Sequence, residues 1–283
     1  MALRILADST CDLSAEQIEK YGITILPLCI VMDGKSYYDG EEITPSEIYA
    51  WAEARKTTPG TAAVTFEVLE NRVLPMMEAG DDIVFIGISE DMSTTCNIVR
   101  IFADDHEYKR LFVVNSENLS TGIGLQVLRA AEMAAAGATA EEIVGRISAA
   151  RGLVRASFIV DTLTYLARGG RCKATTAFLG NALKIHPMIA VSGGKMGVAR
   201  KYRGNMLSSM DRYMSDLREE LAKAEPRRVF ITHSLCDPAL VEKAREFLTG
   251  LGRFEEICET QAGGVISSHC GPNTIGILFY VEE

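Results

Sequence analysis

Short apolar strands alternate with helical segments along the first 150 residues, and this alternation restricts the chain to an α/β fold. Four runs have the length and apolar content of buried strands: Leu3 to Ala7, Ile23 to Met32, Asp82 to Ile88 and Leu111 to Asn115. Ser14, with Gln17 three residues later, is a capping-box pattern that predicts the first helix. Strands that alternate with helices in this way predict a parallel sheet covered on both faces.

Further helices fill the spaces between these strands. They are predicted from about Pro45 to Lys56 after an N-cap at Thr44, from about Thr65 until Pro75 breaks the pattern, from Ser93, and from Thr121 to Ala136. The segment Thr57 to Thr61 is polar and is predicted to be a loop.

The second half of the chain has a different pattern. Some neighbouring strands are joined by turns too short for a helical crossover, such as Gly193-Gly194, so its sheet should be mixed. A short helix is predicted near Thr175 to Lys184. We place a boundary near Gly152, which predicts a parallel three-layer α/β/α domain in residues 1–152 and a mixed-sheet α/β domain in residues 153–283.

Charge and cysteine content exclude several classes of function. The 283 residues carry a net charge of −9, so the basic surface that nucleic-acid binding requires is missing. The seven cysteines are odd in number, and no two are spaced as C-x-x-C, which argues against a disulfide framework or a structural zinc site. Reduced thiols predict a cytoplasmic protein without a bound metal.

Hydropathy predicts neither a signal peptide nor a transmembrane segment. The opening residues reach Asp8 too early for a secretory signal. The apolar run from Ile23 to Met32 contains Thr24 and Pro27, and it is far shorter than the roughly 20 residues that span a bilayer. A lipid ligand would therefore have to be carried in water.

Several partial motifs fail when their full patterns are compared with the sequence. Gly194-Lys195 is followed by Met196, where a P-loop needs Ser or Thr. A dinucleotide motif starting at Gly122 would need a third glycine where Val127 stands. A nucleophile elbow would need glycine in place of Asp91. No ATP-binding or nucleotide-binding motif remains.

Three polar side chains stand out as candidates for a site. Ser93 follows a parallel strand, where its hydroxyl and free helix N–H groups suit an anion, although a plain N-cap is an equal alternative. Thr61 lies in a loop that leads to another helix start, and taken alone it fits a turn residue better than a site residue. His269 lies between glycine-containing segments that suggest close packing, and the alternative is a satisfied core histidine rather than a metal ligand.

Five blocks, in this order, resemble motifs of the DegV family. They are Asp8-Ser9-Thr10-Cys11-Asp12-Leu13, similar to D-S-x-x-D-L; Asp33-Gly34-Lys35-Ser36-Tyr37-Tyr38-Asp39-Gly40, similar to the D-G-x-x-Y-x-D-G hairpin; Ile88-Ser89-Glu90-Asp91-Met92-Ser93-Thr94-Thr95, similar to I-S-S-x-L-S-G-T; Val160-Asp161-Thr162-Leu163 through Gly169-Gly170-Arg171; and Gly264-Val265-Ile266 through His269-Cys270-Gly271-Pro272. Because the blocks extend from residue 8 to residue 272, the resemblance covers nearly the whole chain.

The resemblance implies a two-domain DegV-like fold that binds a long-chain fatty acid in a tunnel between or within the domains, with no other cofactor. It implies that Thr61, Ser93 and His269 bind the carboxylate, and that Arg171 and Arg200 lie near the entrance, where a partner could dock. In the family, the bound acid is presented to a fatty-acid kinase, a dihydroxyacetone-kinase-like ATP-binding subunit that forms an acyl phosphate. The chain would then be a lipid-binding subunit and not itself an enzyme.

The sequence also departs from the family pattern. The usual T-S-Q-P-S block is Thr61-Ala62-Ala63-Val64-Thr65, and Thr94 stands where a glycine follows the binding serine. Two alternatives stay open: an enzyme that acts on an acyl ligand through Ser93 or His269, and a carrier of a different apolar acid.

Overall fold

The computed structural model of the protein describes residues 2–172 and 185–282. The first half is built on a four-stranded parallel sheet in the order β2–β1–β6–β7. Its strands are β1 (Leu3–Asp8), β2 (Thr24–Leu26), β6 (Asp82–Gly87) and β7 (Leu111–Asn115). Along β6, Val84 and Ile86 pack into one core while Ile83 and Phe85 pack into another. Because both faces of this strand are buried, the predicted three-layer arrangement is confirmed.

Helices cover the two faces of the parallel sheet. One face packs against α6 (Thr121–Ala135) and α7 (Ala140–Ala150). The other packs against α3 (Phe66–Arg72), α4 (Leu74–Glu78) and α5 (Thr95–Asp105). The remaining helices of this half are α1 (Ala15–Tyr21) and α2 (Pro45–Arg55). The predicted capping box of Ser14 and Gln17 is confirmed, as are the N-cap at Thr44 and the break near Pro75.

A small antiparallel sheet lies beside the parallel one, in the order β4–β3–β5. Its strands are β3 (Cys29–Met32), β4 (Lys35–Tyr38) and β5 (Gly60–Ala62). The prediction of one strand from Ile23 to Met32 is wrong, because the run divides at Pro27 into β2 and β3, which belong to different sheets. Proline has no N–H to donate to a sheet ladder, so it suits a change of sheet.

The second half contains a six-stranded sheet in the order β10–β9–β8–β13–β11–β12. Its strands are β8 (Val154–Ile159), β9 (Ile185–Ser192), β10 (Lys195–Arg203), β11 (Ala224–Ser234), β12 (Glu256–Gln261) and β13 (Thr274–Val281). Within this sheet, the pairing of β11 with β12 is parallel and the other pairings of its described strands are antiparallel, so the predicted mixed sheet is confirmed. The short helix predicted at Thr175 to Lys184 lies outside the described residues.

The two faces of the second sheet have different neighbours. Ile277 and Phe279 of β13 face a core built with α9 (Met206–Leu221) and α10 (Pro238–Gly250). Leu278 and Tyr280 face the opposite way and join the core around α6. Helix α6 is therefore packed between the two large sheets, which explains why even its polar Gln126 is fully buried.

The chain crosses from the first half to the second at a 3-10 turn, Arg151–Leu153. The domain boundary predicted near residue 152 falls in this turn, between the two large sheets, and it stays a prediction. Two short helices of the second half are α8 (Thr164–Gly169) and α11 (Gly264–Cys270). Helix α11 packs against α8 and also against α2, β3 and β5 of the first half. Among the described helices, none is both long and apolar enough to cross a bilayer.

Candidate functional site

A cavity of about 430 Å³ opens where the two halves meet. Four of the five predicted site residues line it: Thr61, Ser93, Arg171 and His269. They come from β5, the loop after β6, the segment after α8, and α11, so residues more than 200 positions apart in sequence form one surface. Arg200 is not among the described residues that line this cavity.

Thr61 and His269 are in direct contact. The Oγ1 of Thr61 lies 2.8 Å from the Nε2 of His269, at hydrogen-bond distance. Thr61 was expected in a loop, but it lies on β5 opposite Ile30 of β3, so that prediction is wrong. Strand pairing fixes its backbone more firmly than a loop would. The pair thus joins a sheet of the first half to a helix of the second.

The imidazole of His269 is seated against α8. A Cβ at position 169 would lie 2.2 Å from His269 Nδ1, so only glycine leaves room for the ring. Nδ1 is buried and has no hydrogen-bond partner among the described residues. Desolvation by burial, assisted by the Arg171 guanidinium, lowers the pKa of His269 to about 4. The ring is therefore neutral at physiological pH.

The tautomer of His269 follows from these contacts. Buried N–H groups without a partner are rarer than unpaired acceptors, so the proton belongs on Nε2, where Thr61 can accept it. Thr61 Oγ1 then accepts from His269 and keeps its own hydroxyl proton for a ligand in the cavity. Because the neutral histidine donates to Thr61, the hydroxyl proton of Thr61 is free to point toward the cavity.

Ser93 does not open the helix, contrary to prediction. Helix α5 begins at Thr95 with Thr94 at its N-cap, so Ser93 lies in the loop before it. Its Oγ accepts from the Thr95 N–H at 3.3 Å and lies 2.9 Å from Thr95 Oγ1. The loop itself is held by buried Ser89, whose carbonyl accepts from the Ser93 N–H at 3.0 Å. Ser93 faces the cavity from this closed loop.

The two arginines occupy different environments. Arg171 donates to the carbonyl oxygens of Gly169 at 2.9 Å and Met92 at 3.4 Å, and it has no carboxylate partner within the described residues. Arg200 lies on β10 with its Nε 3.3 Å from Asp216 Oδ2, and its side chain is 60% exposed. Among the described residues that line the cavity, Arg171 is the only cation, and the two acidic side chains, Glu90 and Asp91, are paired with Arg100 and Lys195.

The remaining walls of the cavity are mainly apolar. They include Leu28, Ile88, Met92, Leu119, Met196, Val265, Ile266 and Cys270. A second space of about 20 Å³ shares Leu119, Ile266 and Cys270 and continues toward Phe158 and Leu278, between the large sheets. The site therefore has a polar end at Thr61, Ser93 and Arg171 and an apolar path leading inward.

Comparison with known proteins shows the family of the chain. The sequence model of the DegV family matches residues 2–282. The chain belongs to the DegV family. It is 32% identical to a DegV domain-containing protein of Caldanaerobacter subterraneus subsp. tengcongensis over 98% of both chains. It is 30% identical to a fatty acid-binding protein of Thermotoga maritima, with 100% of this chain and 99% of that protein covered.

Solved DegV structures share the fold over the whole chain. A fatty-acid-binding DegV protein from Thermus thermophilus is 29% identical with a TM-score of 0.89, and 100% of both chains is covered. A DegV lipid-binding protein from Thermotoga maritima is 29% identical with a TM-score of 0.84, covering 100% of this chain and 99% of that one. The predicted DegV fold is confirmed.

The departures from the DegV motifs lie at the site itself. Ala62, Ala63 and Thr94 all line the cavity beside Thr61 and Ser93. Two alanines make this wall smaller and less polar than the serine and glutamine of the usual block, while Thr94 is bulkier than glycine. The assignment of Thr61, Ser93 and His269 to carboxylate binding stays a prediction, and these substitutions reshape the space around it.

Three buried aspartates come from the first two DegV motif blocks, and no role was predicted for them. Asp8, Asp12 and Asp39 are each no more than 5% exposed. Desolvation raises the pKa of Asp8 to about 6 and that of Asp12 to about 8, and it also raises the pKa of Asp39. Repulsion among the three carboxyl groups acts in the same direction, although hydrogen bonds from neighbouring hydroxyl and N–H groups oppose it.

The unfolding free energy should fall as pH rises from about 6.5 to 8 because of Asp12. The folded chain keeps the Asp12 proton up to a pKa of about 8, while the unfolded chain loses it above the ordinary value of 3.8. The folded state therefore binds more protons in this window, at a cost of up to about 1.4 kcal/mol per pH unit. His269 opposes this trend at the lower end of the window, because its pKa is about 4 in the folded chain and 6.5 in the unfolded chain, so only the unfolded chain takes up its proton there.

Urea unfolding of the parent and Asp12→Asn between pH 6 and 8.5 measures this effect. Asparagine resembles the protonated carboxyl group, so the variant should show a flatter pH dependence. An unchanged slope in Asp12→Asn would mean that Asp12 does not hold its proton in the folded state.

Proposed function

We propose that this DegV protein binds one long-chain fatty acid, with the carboxylate at Thr61, Ser93 and Arg171 and the acyl chain along the apolar path. The observation that carries the proposal is the cavity between the two halves, which is polar at Thr61, Ser93 and Arg171 and mainly apolar elsewhere, with a second small space beside it. Fatty-acid-binding relatives at 29–30% identity over the whole chain support it.

The two ends of the cavity would contribute differently to binding. About 14 buried methylenes at about 0.8 kcal/mol each give an upper limit of about 11 kcal/mol, so the tail supplies most of the affinity. The carboxylate loses hydration that costs several kcal/mol and must recover it through hydrogen bonds and charge. The hydroxyl groups and Arg171 therefore set the orientation of the acid and the position of its headgroup.

The proton arrangement suits a carboxylate. Neutral His269 donates to Thr61, so the Thr61 hydroxyl points its proton toward the cavity. Ser93 supplies a second hydroxyl, and the Arg171 guanidinium supplies charge near the rim. A carboxylate needs donors on both oxygens, and two hydroxyls with one guanidinium meet that need.

Mass spectrometry of lipid extracted from freshly purified protein tests the proposal. We expect a long-chain fatty acid in close to equimolar amount, chemically unaltered. A protein that contains no lipid and does not take up added palmitic acid would refute it.

The enzyme alternative receives less support from the hydrogen bonds. Among the described residues, His269 Nε2 bonds to Thr61 and Ser93 Oγ bonds to Thr95, so a Ser–His nucleophile pair is not formed. Turnover of an acyl ester that disappears in Ser93→Ala would favour the enzyme over the carrier.

Ser93→Ala should leave the fold intact and lower fatty-acid retention. One hydrogen bond to a charged group is worth about 1.5–3 kcal/mol, so affinity should fall by roughly ten- to a hundredfold. Circular dichroism checks the fold, and displacement of a fluorescent fatty acid measures the affinity. Retention equal to that of the parent would mean that Ser93 only shapes its loop, through Thr95.

We further propose that the chain acts in the cytoplasm as the lipid-binding subunit for a fatty-acid kinase. The acid would be presented with its carboxylate at the rim, near exposed Arg171. A separate dihydroxyacetone-kinase-like subunit would supply ATP, because no nucleotide-binding motif occurs in the sequence. Acyl-phosphate formation should then require both proteins, and product made by this chain alone would contradict the division of roles.

A further inference from the structure

Helix α11, which carries His269, is too short to be stable without help. It has seven residues, whereas isolated helices shorter than about 12 residues are marginal in water. Its N-cap is Gly263, which has no side chain to accept the first free N–H groups. Other parts of the chain must therefore supply the acceptors.

Two of the buried aspartates supply them. Asp12 Oδ1 accepts from the Gly263 N–H at 2.8 Å, and Asp39 Oδ1 accepts from the Gly264 N–H at 2.7 Å. The second oxygen of each carboxyl group is held by a hydroxyl, from Ser120 to Asp12 at 2.5 Å and from Ser9 to Asp39 at 2.9 Å. Each acceptor is thus held in place by a hydroxyl while it binds the helix, and its other oxygen satisfies an N–H group that the start of a helix leaves free.

Glycine allows the helix to approach these groups closely. A Cβ at position 264 would lie 2.5 Å from Ile30 Cδ1 and 2.9 Å from Asp39 Oδ1. Contacts of this kind are impossible for any other residue without movement of the neighbours. The start of α11 is therefore packed closely against the small sheet, and this packing restricts any shift of the helix relative to the sheet.

The small sheet reaches both ends of α11. Asp39 directly follows β4 and binds the first turn of the helix, while Thr61 on β5 bonds to His269 in the last turn. Strand β3 pairs with both β4 and β5, so one sheet fixes the separation of the two attachment points. The Thr61–His269 distance consequently depends on how the aspartates hold the helix start.

We infer that Asp39 and Asp12 are positioning residues for the carboxylate site, which hold α11 in the register that joins His269 to Thr61. This inference rests on the proposed fatty-acid function. It gives a role to two DegV motif blocks, D-S-x-x-D-L and D-G-x-x-Y-x-D-G, that contribute no residue to the polar end of the cavity.

A double-mutant cycle with palmitic acid separates positioning from general stability. Asp39→Ala should weaken palmitate binding by about tenfold, since one hydrogen bond to a charged group is lost indirectly. In a His269→Ala background the same change should cost less than about twofold, because the residue it positions has gone. Asp39→Asn keeps an acceptor for the Gly264 N–H and should restore binding to within about threefold of the parent.

Two further variants keep the test decisive. Ser9→Ala removes the hydroxyl that binds one oxygen of Asp39 but leaves the oxygen that accepts from the helix. This variant replaces Asp39→Ala in the cycle if Asp39→Ala does not fold. Its loss of palmitate affinity should be smaller and should also vanish in the His269→Ala background. Thr139→Ala removes the N-cap of distant α7 and should lower stability without changing palmitate affinity.

The outcomes distinguish the inference from the function on which it rests. Equal losses from Asp39→Ala in the parent and in His269→Ala would overturn the positioning role, as would a failure of Asp39→Asn to rescue binding. If the parent itself does not bind palmitate or any other fatty acid, the proposed function fails instead.

Discussion

Gly169→Ala is expected to lower fatty-acid affinity by roughly ten- to a hundredfold, the loss that follows when a hydrogen bond to a charged group is removed. The new Cβ would lie 2.2 Å from His269 Nδ1, a distance that no real contact tolerates, and 3.1 Å from Cε1, which is tight. The imidazole ring must move away from α8, and its hydrogen bond to Thr61 is then lost. Thr61 no longer has a fixed donor direction, and the carboxylate loses an oriented hydroxyl.

Gly145→Ala is the matched control. Gly145 lies in the exposed part of α7, where nothing approaches a new Cβ within 4 Å. This substitution should raise stability by about 0.5–1 kcal/mol and leave affinity unchanged, since alanine favours a helix. Thermal unfolding and fatty-acid displacement measure both variants. If Gly169→Ala binds fatty acid like the parent and the imidazole NMR signals of His269 are unchanged, a glycine at position 169 is not required for the site.

The layers of the fold could be predicted from the sequence because they depend on local patterns. Apolar runs such as Asp82–Gly87 identify their strands, and capping residues such as Ser14 and Thr44 mark helix starts. The mixed second sheet follows from turns too short for crossovers. These signals lie within a few residues of one another, so no distant contact is needed to interpret them.

The errors concern segments whose structure depends on distant residues. Thr61 lies on a strand only because Ile30 pairs with it, and three residues carry too little pattern to indicate a strand. Helix α11, which was not predicted, has its first N–H groups bound by Asp12 and Asp39, more than 200 positions away in sequence. The spacing of Ile266 and Cys270 is helical, but that signal is weak between glycines.

Four of the five residues that the family resemblance selected lie at one cavity, and their role there stays a prediction. Thr61, Ser93, Arg171 and His269 line one cavity, although the helix start at Ser93 and the loop at Thr61 were both predicted wrongly. Two features were not predicted: the contact of Gly169 with the His269 ring, and the hydrogen bonds of Asp12 and Asp39 to the start of α11. The identity of a glycine or an aspartate in the sequence does not show what packs against it.

Arg200→Glu should leave the lipid content unchanged and lower acyl-phosphate formation with the kinase subunit by at least about tenfold, the effect of losing one well-placed charge pair across an interface. Arg200 lies outside the cavity lining and is 60% exposed, so a partner can reach it. A guanidinium pairs with phosphate or carboxylate through a fixed fork, which suits docking.

The ion pair of Arg200 with Asp216 supplies the control that separates docking from local structure. Charge reversal alone places two carboxylates together, whereas Arg200→Glu with Asp216→Arg restores a partly exposed pair of opposite charges, which is worth about 1 kcal/mol or less, and loses only the hydrogen bond from Tyr202 Oη to Asp216 Oδ2. If Arg200 docks the kinase, the double variant should fold like the parent and still fail to give product. Recovery of product in the double variant would assign Arg200 to the stability of β10 instead. Loss of lipid from Arg200→Glu would place it in the pocket, and unchanged lipid with unchanged product would exclude it from docking.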